Sequence, residues 1–215
     1  MGLFKRARGE SASDATPKRL HIGCGQQSIP GWINIDNQGL PGVDQVLDVR
    51  RGLPFRGVAA IYAEHFLEHL SLDDGLEFLR ECRRVLADDG TLRLSTPSLE
   101  WVLTTHYRWT EDVTPENRLS DCVRLNRAFH AWGHQFLYNA PTLAAALRAA
   151  GFARADFRAY GESEVPGLAG LERHEKSDDT PDLPHVLIVE GSGRAAPVPM
   201  PEEPLRELRE GLEAR

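Results

Sequence analysis

Leu20-His21-Ile22-Gly23-Cys24-Gly25 runs a short apolar strand into two glycines separated by one residue. Eleven positions past the second glycine, a second apolar strand, Trp32-Ile33-Asn34-Ile35, ends in Asp36. Glycine at such a bend admits positive φ and lets a ligand come close to the main chain. An acidic residue at the tip of the next strand can accept hydrogen bonds from both hydroxyls of a ribose. A Gly-x-Gly pair alone equally describes a plain strand-to-loop turn. The rest of the chain decides between the two.

The connection from Cys24 to Gly31 is only eight residues long and contains Pro30-Gly31. A parallel crossover usually takes about a dozen residues or more, with a helix. If strands one and two are parallel neighbours, that helix is nearly absent. Val43–Asp48 reads as strand three, ending in a second acidic residue, and Val58–Ala63 as strand four. Glu64-His65-Phe66-Leu67-Glu68-His69-Leu70 begins a helical turn at its end. Ser71 then caps a helix with Asp74 three positions on. That helix carries Leu72, Leu76, Leu79 and Val85 at roughly helical spacing and closes before Gly90. Thr91–Ser95 is strand five, stopped by Pro97.

The pattern loosens between Pro97 and Ala140. Thr114-Pro115 has the cap and first-turn proline in the favoured order and opens a helix with Leu119, Val123 and Phe129. Another helix runs from Pro141 to Gly151. Strand six is expected over Ala153–Tyr160 and strand seven over His185–Glu190, and the acid-rich 161–184 between them reads as a mobile loop. A Pro-rich linker and a short helix, Pro204–Leu212, close the chain.

The 215 residues, 41% hydrophobic and 27% charged, suit one α/β domain with tails. The expected division is a flexible basic tail over 1–18, a domain over 19–191, and a Pro-rich linker with a short helix over 192–215. Residues 1–19 hold five cations and two acids, a local charge of +3. They lack the apolar centre of a signal peptide, and no run is apolar enough to span a membrane. Cys24, Cys82 and Cys122 are odd in number and widely spaced, which suggests neither a disulfide framework nor a zinc knuckle. A cytoplasmic protein is expected. The net charge of −7 argues against a general nucleic-acid binder, which shows a basic face.

The order strand, Gly-x-Gly, strand-Asp, strand-Asp, strand, helix, strand, helix, strand, strand resembles a class I S-adenosylmethionine-dependent methyltransferase. Leu20–Gly25, Gly31–Asp36, Tyr62–Leu70, Cys82–Leu92 and Leu143–Phe152 look like its small type 11 branch, in which a shortened first crossover is also familiar. The resemblance covers about residues 19–191. It implies an α/β fold with a Rossmann-like, mostly parallel seven-stranded sheet. The last strand would be antiparallel, the first crossover short, and a helical insertion would follow strand five. It also implies S-adenosylmethionine as cofactor. The backbone at Gly23, Cys24 and Gly25 would pass under the methionine and ribose, Asp36 would hold the ribose diol, and Asp48 would lie near the adenine amino group. Residues 63–65 would border the transferred methyl. Where many relatives carry an acidic residue entering strand four, this chain has Ala59-Ala60.

Each role has a plainer counterpart. Asp36 could cap a turn, and Asp48 could pair with Arg50 or Arg51. Glu64 and His65 stand where strand ends face the ligand crevice of an open α/β sheet, yet could simply bond the helix start. Glu68 and His69 read as structural. The segment 101–138 is rich in His, Trp and Tyr. His106, Tyr107, His130 and Tyr138 are the candidate acceptor contacts, with His134 and His65 as candidate catalytic residues, unless the segment is just a helical subdomain. His130 and His134 share a helical face, but no third ligand follows in a zinc pattern, so no metal is expected.

Two other classes compete. Short-chain nicotinamide oxidoreductases use a tyrosine with lysine four residues later, whereas Phe66, Glu111, Thr142 and Glu164 occupy those positions here. A methyltransferase-like module that binds without catalysis is the second. Neither a Pro-Pro-aromatic motif after strand four nor a Pro-Cys pair is present, so DNA amine and cytosine-C5 methylation are disfavoured. The acceptor class expected is a small molecule or a glycan or lipid-linked intermediate.

Overall fold

The strand β1 (Arg19–Ile22) buries Leu20, His21 and Ile22 in succession, so both its faces are covered and it must lie inside a sheet. The computed structural model describes residues 17–110, 113–173 and 182–213. The basic tail expected over 1–18 falls, but for Pro17 and Lys18, outside the described residues. The other strands are β2 (Ile33–Asp36), β3 (Gln45–Val46), β4 (Val58–Glu64), β5 (Leu86–Pro97), β6 (Phe152–Arg158) and β7 (Val186–Arg194). They form one seven-stranded sheet in the order β3-β2-β1-β4-β5-β7-β6. β1 to β5 pair in parallel, and β7 runs antiparallel to both its neighbours. This is the Rossmann-like sheet expected, with its last strand reversed.

Residues 23–32 connect β1 to β2 without a helix. The loop's polar backbone needs other partners, and buried Asn34 supplies them. Its Oδ1 accepts from Ile29 N at 2.8 Å, and its Nδ2 donates to Trp32 O at 3.2 Å, Ile29 O at 3.3 Å and Asp44 Oδ2 at 2.9 Å. Asp44 Oδ2 also accepts from the backbone Asn34 N–H at 2.8 Å, which ties the chain just before β3 to the same residue.

The helix α1 (Leu72–Val85) starts at Ser71, whose Oγ accepts from Asp74 N at 3.1 Å. It buries Leu72, Leu76, Leu79 and Val85. An unexpected helix, α2 (Leu99–His106), follows β5 and is capped by Ser98, whose Oγ accepts from Trp101 N. Its one fully buried side chain is Val102, too little apolar periodicity to announce it. The helix α3 (Pro115–His130) forms as expected behind Thr114, but its inner face does not. Leu119 and Val123 are 67% and 57% exposed, whereas Asp121 is wholly buried. Asp121 accepts from Arg108 N at 3.2 Å and from Arg108 Nη1 at 2.8 Å, so a polar contact replaces the apolar one. The helix α4 (Ala140–Ala149), capped by Asn139, buries Leu143 and Leu147.

The expected mobile loop over 161–184 is corrected for its described part. Leu168 is wholly buried in a cluster with Trp32 and Tyr62. Arg93, in the middle of β5 and wholly buried, donates to Glu172 Oε1 at 2.7 Å, to Glu190 Oε1 at 2.8 Å and to Glu162 O at 2.9 Å. Of the acids of this segment, Glu172 answers a buried cation; residues 174–181 lie outside the described residues. β7 runs on past its expected end to Arg194, and α5 (Glu202–Glu213) lays Leu205 and Leu208 against the core. Among the described residues no helix is long and apolar enough to cross a membrane.

Removing the cation should expose the cost of that burial. Breaking one side of a buried pair typically costs about 3–5 kcal/mol, so Arg93→Leu should lose roughly that much in urea unfolding. Arg209→Ala removes an exposed ion pair with Asp73 and should leave the midpoint nearly unchanged. Equal midpoints for both variants would show that Arg93 anchors nothing.

Candidate active site

The sheet order changes direction between β1 and β4, so a crevice opens at their carboxyl ends. Gly23 and Gly25 leave β1 with φ of 65° and 53°. A Cβ at Gly23 would collide with the Phe66 ring, whereas the space beside Gly25 is open. The first glycine thus lets the turn after β4 close against β1. Cys24 is buried, and its N–H donates to Ile35 O at 3.1 Å.

Asp36 ends β2 facing this turn. Its Oδ2 accepts from Gly25 N and its Oδ1 from Gln38 N, both at 2.9 Å. A carboxylate has about four acceptor sites, so two backbone bonds orient it and leave capacity for a diol. Asp48 accepts from Arg50 Nε at 2.9 Å and Nη2 at 2.8 Å, and caps the turn that follows. Those bonds hold its carboxyl below the usual range. Of the two readings of Asp48, the pairing with Arg50 is present. Both acids line a cleft of about 410 Å³ whose walls include Ile22, Ile35, Leu47 and Phe66. Apolar walls with a few fixed polar groups suit an adenosyl group.

A second cavity of about 760 Å³ lies on the other side of the turn after β4. Glu64, His65, Glu68 and His69 form one wall, and α2, α3 and residues 132–137 form the others. His65 has φ of 46° and Trp132 has φ of 59°; among the described residues these are the non-glycine residues with positive φ. Both line this cavity. Such conformations cost about 1–3 kcal/mol each and persist where surrounding structure enforces them.

The contacts around His65 centre on Glu68, which is wholly buried. Its Oε2 accepts from Thr96 Oγ1 at 3.0 Å, and its Oε1 stands 3.1 Å from His65 Nδ1. Its carbonyl accepts from Gln135 N at 2.7 Å and Phe136 N at 3.2 Å. His134 Nδ1 lies 2.8 Å from Ala128 O. A carbonyl only accepts, so Nδ1 carries a proton, and in the neutral ring Nε2 holds the lone pair. Burial, helped by nearby Arg124, pushes His106 below the ordinary imidazole value. Trp101 packs between His106 and His185, with ring centres 5.3 and 4.2 Å away.

The two spaces meet. Gly23, His65 and His69 line both the cleft and the cavity. Glu64 lines the cavity, and its Oε1 accepts from Arg173 N at 2.8 Å. His106 and His134 reach the cavity, but three other expected acceptor contacts do not line it. Tyr107 stacks under the Arg118 guanidinium. His130 is exposed at the end of α3. Tyr138 is wholly buried against Phe136, and burial pushes its phenol well up. Sequence reasoning missed Arg124 and Arg127, whose three-residue spacing on α3 could have paired them on one face. It also set aside Glu68 and His69, and read His185 only as the start of strand seven.

No family profile matches the chain, and no curated protein matches it in sequence. Solved structures do. The apo form of the S-adenosylmethionine-dependent methyltransferase SibL matches with a TM-score of 0.51 and 14% identity, over 84% of this chain and 51% of SibL. PigF with SAH matches at 0.47 and 17%, over 81% of this chain and 50% of PigF. The DhpI–SAH complex matches at 0.48 and 14%, over 85% and 78%. The chain thus spans about half the length of SibL and PigF. With its reversed last strand and helix-less first crossover, the chain has the Rossmann-like α/β fold that SibL also has.

Proposed function

We propose that this chain is a cytoplasmic enzyme of the type 11-like methyltransferase branch, transferring a methyl group from S-adenosylmethionine to a small-molecule or glycan acceptor. One observation carries the reading: the cleft fit for an adenosyl group and the larger cavity share Gly23, His65 and His69. A donor in one and an acceptor in the other would face each other there. Bound S-adenosylmethionine supplies a methyl activated on a sulfonium. The chain has to align the acceptor with it, and alignment can contribute as much as about 7–11 kcal/mol.

In this reading Asp36 holds the ribose diol, the Gly23–Gly25 backbone lies under the methionine and ribose, and Asp48 borders the adenine side. Glu64 and His65 flank the methyl. His65 is the candidate base for a hydroxyl or other protonated nucleophile, because it stands where the two spaces meet and Glu68 beside its Nδ1 orients the ring. His134 binds the acceptor, together with His106 and Trp101. Arg124 and Arg127 line the same cavity, which favours an acceptor carrying an anionic group. Tyr107, His130 and Tyr138 act, at most, by supporting these walls. No specific nucleic-acid partner is proposed.

Calorimetry tests the donor half. S-adenosylhomocysteine should bind and NAD should not. Asp36→Ala should weaken binding about 10- to 100-fold, the worth of hydrogen bonds to a charged group. Tighter binding of NAD, or unchanged affinity in Asp36→Ala, would contradict the assignment.

Turnover tests the acceptor half, read as S-adenosylhomocysteine formed with a panel of small-molecule and glycan acceptors. His65→Ala should lower kcat by about 10²–10⁴ with S-adenosylhomocysteine affinity nearly unchanged. Unaltered kcat would reassign His65 to a structural role. Cofactor binding without turnover on any acceptor would favour the non-catalytic module.

A further inference from the structure

Glu68, His69 and His134 each present a ligand-type atom, and all three atoms lie within 4.8 Å of one another. Two imidazoles and a carboxylate are a donor set that zinc and related divalent ions take. The sequence pairs His134 with His130 and finds no third ligand; the structure pairs it with His69 instead, at 5.1 Å between ring centres.

The convergence is built by the backbone. Gln135 and Phe136 donate their N–H groups to Glu68 O, and Gln135 Nε2 donates to His69 O at 2.6 Å. The side chains are also oriented in the way metal ligands are. Metal-bound histidines donate their other N–H to a carbonyl or carboxylate, and ligating carboxylates are themselves hydrogen-bonded. His134 Nδ1 is committed to Ala128 O, and Glu68 Oε2 to Thr96 Oγ1. That leaves His134 Nε2 for an ion, and Glu68 Oε1, which also stands 3.1 Å from His65 Nδ1, keeps a second lone pair for it. Glu68 is wholly buried, and among the described residues no Lys or Arg forms an ion pair with it. A buried carboxylate is costly without a compensating charge. All three residues line the 760 Å³ cavity, so a fourth position would open onto it.

We propose that Glu68, His69 and His134 form a site for a divalent transition-metal ion, with zinc the best match, whose open position faces the acceptor cavity. Zinc bonds of about 2.1 Å set tetrahedral ligand atoms about 3.4 Å apart, so binding draws the three side chains inward by small rotations. If the methyl-transfer reading holds, the ion would hold an oxygen of the acceptor beside His65. The site itself does not depend on that reading.

The test is a titration of the chelator-treated full chain with zinc, and separately with cobalt, without nucleotide. One ion per chain should bind. His69→Ala and His134→Gln should each weaken zinc binding by at least about 100-fold, and Thr96→Val by about 10-fold. The exposed His130→Ala should bind as the original chain does. Cobalt should give visible absorption that His134→Gln loses, and zinc should raise the melting temperature of the original chain but not of His134→Gln. Absence of zinc binding, binding in His69→Ala or His134→Gln as tight as in the original chain, or loss in His130→Ala would overturn the proposal. S-adenosylhomocysteine affinity of the metal-free chain is measured in parallel, so failure of the ion site and failure of the cofactor reading give different results.

Discussion

The buried carboxylate of Glu68 is the constraint on which the rest of the site depends. An unpaired charge in the interior is expensive, and Glu68 is wholly buried at the turn after β4. Thr96 on β5 and His65 on the turn itself meet its two oxygens, while its carbonyl holds residues 135 and 136. Sheet, turn and helical insertion are therefore fastened at one residue. The bend that satisfies it forces His65 to a positive φ and sets His65, Glu68 and His69 along one cavity wall.

The sheet brings the other wall of the crevice to this point. With no helix between β1 and β2, Asn34 satisfies the loop and fixes its path, and Gly23 admits the Phe66 ring. On the other side of β4, Arg93 recruits Glu172 and Glu190. That network holds the 161–173 segment across the sheet, where Arg173 donates its N–H to Glu64 and its guanidinium to Gln27 Oε1 and Ser28 O. A loop far away in sequence is thus tied both to the first crossover and to Glu64 in the cavity wall.

The fold was legible because its signals are local. Glycines after a strand, carboxylates at strand tips and the Ser71 cap each act within a few residues. Asp36 and Asp48 at the strand tips were legible for the same reason, and of the two alternatives at Asp48 the pairing with Arg50 is the one present. The larger cavity was legible only in part. His65 and His134 could be singled out, but the run 64–70 looks like a helix start, which hides that 65, 68 and 69 share a wall. His130 and His134 look like neighbours on a helix, yet α3 ends at His130 and the positive φ of Trp132 swings His134 away. Arg93 reads in the sequence only as one residue of strand five, because its partners lie 79 and 97 positions away. No local pattern announces such pairings.

The central claim is that donor cleft and acceptor cavity meet where a methyl would pass, between Gly23 and His65. A crystal structure of the chain with S-adenosylhomocysteine tests it most directly. The account places the ribose diol on Asp36, the adenine against Ile35 and Leu47, and the sulfur at the junction facing His65. A nucleoside seated in the larger cavity, or a sulfur turned away from His65, would contradict it.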